Sequence, residues 1–132
     1  MADEVSLWPS ENVPDDDLLY MRVHKDHFCD GEIAPGAFRN QPTRQHGMST
    51  DWEKYSSPEE TRNRARNPIA NAVIQMKVGH VRRIPHQRVA HTPDRITLNR
   101  ALTDVFGDKN PEVRLKFLRI FQLVIPLNAH PQ

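Results

Sequence analysis

Histidine, cysteine and carboxylate residues stand close together in one short stretch of this sequence. His24, His27, Cys29 and Glu32 follow the spacing H-x2-H-x-C-x2-E. Imidazole, thiolate and carboxylate groups are the ligands that Zn²⁺ takes in proteins, and a distant histidine such as His91 would complete a tetrahedral set. We therefore consider His24, His27 and Cys29 as candidate metal ligands.

The same spacing also argues against a closed zinc site. It matches no standard zinc finger or ribbon, and the chain holds a single cysteine. On a β-strand, His24 and His27 would lie on opposite faces, which opposes joint ligation unless the chain turns between them. A nucleophilic Cys29 is disfavoured because the neighbouring Asp26 and Asp30 oppose formation of a thiolate. We therefore expect surface or hydrogen-bonded histidines, with no metal and no other cofactor.

A second constellation combines an arginine, two hydroxyl residues and a glutamate. Arg22 lies on the first predicted strand, Ser49 and Thr50 lie on the second, and Glu53 follows. This order resembles the Arg–Ser–Glu order of some ADP-ribosyltransferases. The resemblance implies that Arg22 would bind the phosphates of a nicotinamide dinucleotide, that Ser49 would support its nicotinamide ribose, and that Glu53 would stabilise oxocarbenium charge. The alternative is that Arg22 pairs with Asp26 or with the acidic N-terminal residues.

Arginines of the C-terminal half are the candidate partner-binding residues. They are Arg62, Arg66, Arg82, Arg83 and Arg88. Exposed arginines make bidentate contacts with carboxylates or phosphates, so they suit either an acidic protein or a nucleic-acid backbone. No aromatic residue lies between Arg82 and Arg88, and no helix-turn-helix, RRM, KH or Gly-rich phosphate motif is present. A protein partner is therefore favoured over a nucleic acid.

Charge is divided unevenly along the chain. Residues 1–61 contain thirteen acidic and five basic side chains, whereas residues 62–132 contain four acidic and thirteen basic ones. The halves carry net charges of −8 and +9, although the whole chain carries only +1. This asymmetry predicts an acidic face and a basic face, or an acidic tail folded over a basic surface. The alternative is that the two halves neutralise each other within one fold.

The length of 132 residues suits one domain. A chain of this size buries roughly two thirds of its unfolded surface and needs neither a metal nor a disulfide to fold. Residues 1–17 are polar and acidic and are predicted to form a flexible arm, so that 18–132 form the domain. There is neither a signal-peptide pattern nor an apolar run of about 18 residues that would span a membrane. We expect a soluble cytoplasmic protein with no membrane partner.

Hydrophobic alternation and turn residues predict a mixture of strands and helices. Strands are predicted at Leu18–His24, Gly47–Trp52, Ala72–Val78 and Gln87–His91, with a closing strand from near Gln122. Ser57-Pro58-Glu59-Glu60 is a capping box that begins a helix. Further helices are predicted from Asp94 to about Phe106 and after Asn110-Pro111. The predicted fold is α+β, a single small domain in the order β-β-α-β-β-α-α-β, with a short mixed or antiparallel sheet and about three helices.

Short motifs between residues 18 and 126 resemble those of a group of small bacterial proteins with no known activity. The motifs are Leu19–His24 (LYMRVH), Asp30–Ile33 (DGEI), Ala37–Arg39 (AFR), Met48-Ser49 with the capped helix that follows, and Arg114–Pro126. Members of the group often carry a Pro-x5-Ala-His segment, where this chain has Ala101-Leu102. The resemblance therefore implies no activity for this chain.

Charge and resemblance together favour a non-enzymatic role, and we assign no catalytic residue. We expect an interaction or accessory component of a multi-protein bacterial system, either regulatory or active in defence against phage. It would dock on a partner protein through its acidic N-terminal half and its basic C-terminal half. The first alternative is a small enzyme, either metal-dependent through the His/Cys cluster or acting on a nicotinamide dinucleotide through Arg22. The second alternative is a nucleic-acid-binding module.

Overall fold

The structure, a computed structural model, describes residues 8–42 and 47–127. In chain order its strands are β1 (Leu18–His24), β2 (Phe28–Cys29), β3 (Glu32–Ile33), β4 (Gly47–Trp52), β5 (Asn71–Lys77), β6 (Arg88–His91), β7 (Leu102–Phe106) and β8 (Gln122–Ile125). Its α-helices are α1 (Pro58–Asn63), α2 (Val78–Arg83) and α3 (Pro111–Phe117). Six strands form an antiparallel sheet in the order β6-β7-β4-β1-β5-β8, and β2 and β3 form a separate hairpin. The prediction of a small α+β domain with an antiparallel sheet is confirmed.

Strand β1 shows how the sheet divides into an apolar face and a polar face. Because successive side chains of a strand lie on opposite faces, Leu19, Met21 and Val23 enter the hydrophobic core. Arg22 and His24 lie on the other face, where a cavity opens. The polar residues of the central strand are therefore gathered on one side of the sheet.

Helices α2 and α3 cover the apolar face. Val78 and Val81 of α2 and Phe117 of α3 are fully buried in the same cluster as the β1 side chains. The ring of Phe38 stacks on that of Phe117, with centroids 5.1 Å apart. This stacking places the segment that follows Phe38 at the edge of the polar face.

The predicted capping box at the start of α1 is present. Ser57 Oγ accepts a hydrogen bond from the Glu60 amide at 3.1 Å, and Glu60 Oε1 accepts one from the Ser57 amide at 2.8 Å. Pro58 occupies the first helical position, where a missing N–H costs nothing. The cap fixes where α1 begins. Helix α1 contacts β1 and β5. It lies on the polar face of the sheet, since its residue Thr61 lines the cavity.

The predicted helix from Asp94 to Phe106 is wrong. Residues 94–101 form turns, and the chain then enters β7. The Asp94 and Asn99 backbones exchange two hydrogen bonds of 2.9 Å, and Asp94 Oδ1 accepts one from the Ile96 amide. An aspartate side chain that bonds its own following backbone in this way competes with helix formation. Ile96 and Leu98, which suggested an apolar helix face, are 93% and 75% exposed.

Residues 8–17, part of the segment predicted to be a flexible arm, lie against the domain; residues 1–7 lie outside the described residues. Val13 is buried in the core. Arg82 Nη1 donates hydrogen bonds to the Val13 carbonyl at 2.7 Å and to Asp15 Oδ1 at 2.6 Å. Trp52 Nε1 donates to Asp17 Oδ2 at 2.9 Å. An acidic segment therefore contacts the basic helix α2.

Candidate functional site

An open cavity of about 560 Å³ lies on the polar face of the sheet. Its walls come from β1, β4, α1, the loop at residues 94–99 and the segment at residues 37–41. Its volume falls within the roughly 300–1,000 Å³ of ligand pockets. The arginine, histidine and aspartate residues that line it are Arg22, Arg39, Arg64, His24, His27, Asp51 and Asp94. With both histidines neutral, these residues carry a net positive charge.

Arg22 lies on the central strand of the sheet, at one wall of the cavity. Its Nη1 donates a hydrogen bond to the Thr61 carbonyl of α1 at 2.8 Å, which holds the guanidinium in place. Arg22 is exposed in part, and the protein atoms that cover the rest of it lower the pKa of its guanidinium by desolvation. Asp51 raises that pKa and Arg64 lowers it, so both charges act on Arg22. Arg22 is therefore a fixed cation in a partly desolvated place.

A buried carboxylate connects two other walls of the cavity. Asp51 of β4 is 4% exposed. Its Oδ2 accepts a hydrogen bond from Arg64 Nη1 at 2.7 Å, and its Oδ1 accepts one from Asn99 Nδ2 at 2.9 Å. Arg64 Nη1 also donates to Ser56 Oγ at 2.9 Å. Asp51 thereby ties the end of α1 to the loop that precedes β7.

The two histidines of the candidate metal cluster both line the cavity. The chain turns between them through a short 3₁₀ helix, Lys25–His27, which removes the objection based on opposite strand faces. Burial lowers the pKa of His27, and the positive charge of Arg39 lowers it further. His24 contributes to the same lowering, and Asp26 opposes it.

The third candidate ligand, Cys29, is exposed in the β2–β3 hairpin and is not among the cavity residues. Within residues 8–42 and 47–127, no group of three or more histidine, cysteine, aspartate or glutamate residues is arranged to hold a metal ion. The structure therefore places His24 and His27 together as polar groups of the cavity wall.

The Arg–Ser–Glu constellation is only partly assembled. Ser49 and Thr50 line the same cavity as Arg22. Glu53 does not line it; its Oε2 accepts a hydrogen bond from the Leu18 amide at 2.8 Å. The arrangement provides groups that can bind a ligand, whereas the glutamate expected to stabilise oxocarbenium charge lies elsewhere.

The five arginines predicted to bind a partner are used in different ways. Arg62 Nε donates to the Pro68 and Asn71 carbonyls, both at 3.0 Å, and Arg82 is bound to residues 13 and 15 as described above. Arg88 lies over the ring of Phe106, 4.6 Å from its centroid, and Arg66 and Arg83 are exposed. Arg62 and Arg82 therefore hold parts of this fold together.

A buried lysine holds the segment that supplies Arg39 to the cavity. Lys109 is 5% exposed, and its Nζ donates to Asn40 Oδ1 and to the Gly107 carbonyl, each at 2.7 Å. A third acceptor is the Val105 carbonyl at 3.0 Å. Burial lowers the pKa of Lys109 to about 8. This contact anchors one side of the cavity from the end of β7.

Sequence reasoning missed Arg64, Asp51 and Asn99 as members of the site. They are far apart in the chain and follow no recognised motif, and only the pairing of β4 with its neighbours brings them together. The one available signal was the position of Arg64 directly after the capped helix, where a basic side chain suits the helix dipole.

Fold and cavity together define an α+β domain with a cationic cavity on the polar face of an antiparallel sheet. No protein-family model matches the chain, and comparisons with curated proteins and with solved structures find no match. Across the described residues, the helices are all too short or too polar to cross a membrane.

Proposed function

We propose that this domain binds a small phosphate-bearing molecule of the nucleotide class in the cavity on its polar face. The observation that carries the proposal is the convergence of three arginines and two histidines on one cavity whose volume suits a small ligand. Guanidinium groups match phosphate oxygens in geometry and charge, and a partly desolvated site strengthens such contacts. Ser49 and Asn71 add a hydroxyl and an amide group for the rest of the ligand.

A nucleotide ligand in the cavity agrees better with the nicotinamide-dinucleotide alternative than with a protein-docking surface formed by arginines. Arg22 is suited to a phosphate contact, because it is held by the Thr61 carbonyl and lines the cavity. Glu53 lies outside the lining, so we propose binding and no reaction. Arg62 and Arg82 are engaged within the fold, which weakens the basic half as a partner surface.

Calorimetric titration with adenosine monophosphate and with adenosine tests this function. We expect the wild type to bind the monophosphate and to bind adenosine much more weakly, because only the former offers a phosphate to Arg22. Arg22→Gln is expected to weaken binding of the monophosphate at least about tenfold, the loss typical of a hydrogen bond to a charged group. The matched control, Arg83→Gln, removes an exposed arginine outside the cavity and is expected to leave the affinity unchanged. Equal binding of adenosine, or no binding of either compound, contradicts the proposal.

A second candidate function is contact with a partner protein, and it is favoured by Ile96 and Leu98. Both are large, exposed aliphatic side chains at the tip of the loop closed by Asp94 and Asn99. Neighbouring exposed apolar side chains often mark interaction sites. We expect the double variant Ile96→Ser, Leu98→Ser to retain its stability within about 0.5 kcal/mol and to lose any protein that co-purifies with the wild type from the native host. Retention of the same protein by the double variant would rule out this loop as the contact.

A further inference from the structure

Two guanidinium groups at the cavity are held by different hydrogen-bond partners. Arg22 of β1 is held by the Thr61 carbonyl, and Arg64 is held by Asp51 and Ser56. Each uses Nη1 for these hydrogen bonds, whereas a guanidinium carries five N–H donors in one plane. Arg64 also lowers the pKa of Arg22, so the fold keeps two like charges within each other's influence.

The anchor of Arg64 is rigid. Asp51 lies inside the sheet, paired with Tyr20 on β1 and with Leu102 on β7. Its second oxygen is occupied by Asn99, whose own Oδ1 accepts a hydrogen bond from the Ala101 amide at 3.0 Å. A buried carboxylate with both oxygens hydrogen-bonded has little freedom to rotate. It therefore restricts the position of the Arg64 guanidinium that it binds.

We propose, on the basis of the function proposed above, that Asp51 is a positioning residue that fixes Arg64 as a second phosphate contact beside Arg22. The ligand class is then one with two adjacent phosphates, as in a nucleoside diphosphate or a dinucleotide. Such a ligand places one phosphate on each arginine and relieves the repulsion between the two cations. A ligand with a single phosphate uses Arg22 and gains less from Arg64.

Inorganic pyrophosphate and orthophosphate are the probes that test this inference, because they differ in the second phosphate. Calorimetric titration of the wild type is expected to show pyrophosphate bound at least about tenfold more tightly than orthophosphate. Asp51→Asn is expected to abolish most of that preference while weakening orthophosphate only slightly. If Asp51 acted only through its charge, the same substitution would tighten pyrophosphate, because it removes a negative charge from the cavity.

A double-mutant cycle shows whether Asp51 acts through Arg64. Arg64→Gln alone is expected to remove the pyrophosphate preference, and adding Asp51→Asn to it is expected to cause little further loss. Independent, additive losses would overturn the positioning role. The control Asp17→Asn makes the same change of charge on a carboxylate that accepts a hydrogen bond from Trp52 Nε1 and does not line the cavity. This variant is expected to keep the wild-type preference.

The outcomes separate this inference from the proposed function. If Arg22→Gln weakens orthophosphate but the wild type binds both probes equally, the diphosphate inference is wrong and the binding function stands. If the wild type binds neither probe but binds adenosine monophosphate, the inference is wrong and the binding function stands, whereas binding of none of the three compounds makes both wrong. Should Asp51→Asn fail to fold, the Arg64→Gln variant still tests the inference, because it removes the guanidinium proposed as the second contact. A pyrophosphate preference unchanged in Arg64→Gln would overturn the inference.

Discussion

Replacement of Gly107 by alanine is expected to lower the free energy of unfolding by roughly 2–6 kcal/mol. Gly107 has φ +126°, a backbone conformation that is strained for any residue with a side chain. A Cβ added there would lie 2.2 Å from the His86 carbonyl oxygen and 2.9 Å from Gln87 Nε2. The backbone must therefore move, and with it the Gly107 carbonyl that accepts hydrogen bonds from Lys109 and Asn40. Urea unfolding at equilibrium measures the loss.

Gly36→Ala is the matched control for this substitution. A Cβ at Gly36 meets no atom within 4 Å, and its φ is not positive. We expect the control to be neutral or to stabilise by up to about 1 kcal/mol, because alanine restricts the unfolded chain. An unfolding midpoint of Gly107→Ala equal to that of the wild type would show that the 105–109 turn differs from the one described.

The free energy of unfolding is expected to rise with pH between about 8 and 10.5, through Lys109. The folded pKa of Lys109 is about 8, whereas the ordinary value is 10.5. Between these values the unfolded chain binds more protons than the folded protein, so stability increases as pH rises. Below pH 8 the protonated Lys109 costs the folded protein up to about 3 kcal/mol before screening by solvent is counted. Chemical unfolding at pH 7.5, 8.5, 9.5 and 10.5 measures the rise.

Lys109→Met should remove this rise, because methionine fills a similar volume and does not titrate. Lys77→Met serves as the control, since Lys77 is an exposed lysine at the end of β5 and its removal leaves the titration of Lys109 in place. A pH profile shared by the wild type and Lys109→Met would assign the rise to another group.

Local structure was predictable where the physical cause is local. Ser57 and Asn110 begin helices because their side chains accept hydrogen bonds from first-turn amides. The proline and glutamate that follow each of them indicate the helix start in the sequence. Asp30 and Gly31 have positive φ between β2 and β3, a conformation that Asp and Gly adopt more readily than other residues. The predicted bounds of β1, Leu18–His24, are those observed, because the alternation of apolar and polar residues reflects one buried and one polar face.

Prediction failed at residues 94–101 and at the cavity, for two different reasons. Ile96 and Leu98 have helical spacing, yet the backbone pairing of Asp94 with Asn99 closes a loop and leaves both exposed. The cavity was missed because parts of the chain that are distant in sequence form it. The resemblance implies phosphate binding by Arg22 from residue order alone, whereas Arg64 and Asn99 join the same cavity by bonding Asp51, and no spacing in the sequence reveals this.

The strand order has a consequence for how the chain reaches this state. Tyr20 of the central strand pairs with Asp51 on one side and Gln75 on the other, so both neighbours of β1 come from remote parts of the sequence. Loop-closure entropy must be overcome before either pairing adds stability, and sheets dominated by such non-local pairings fold slowly, on the order of milliseconds to seconds. Arg22 lies on β1 and Arg64 is held by Asp51 of β4, so these two of the three cavity arginines come together only when β1 and β4 have paired.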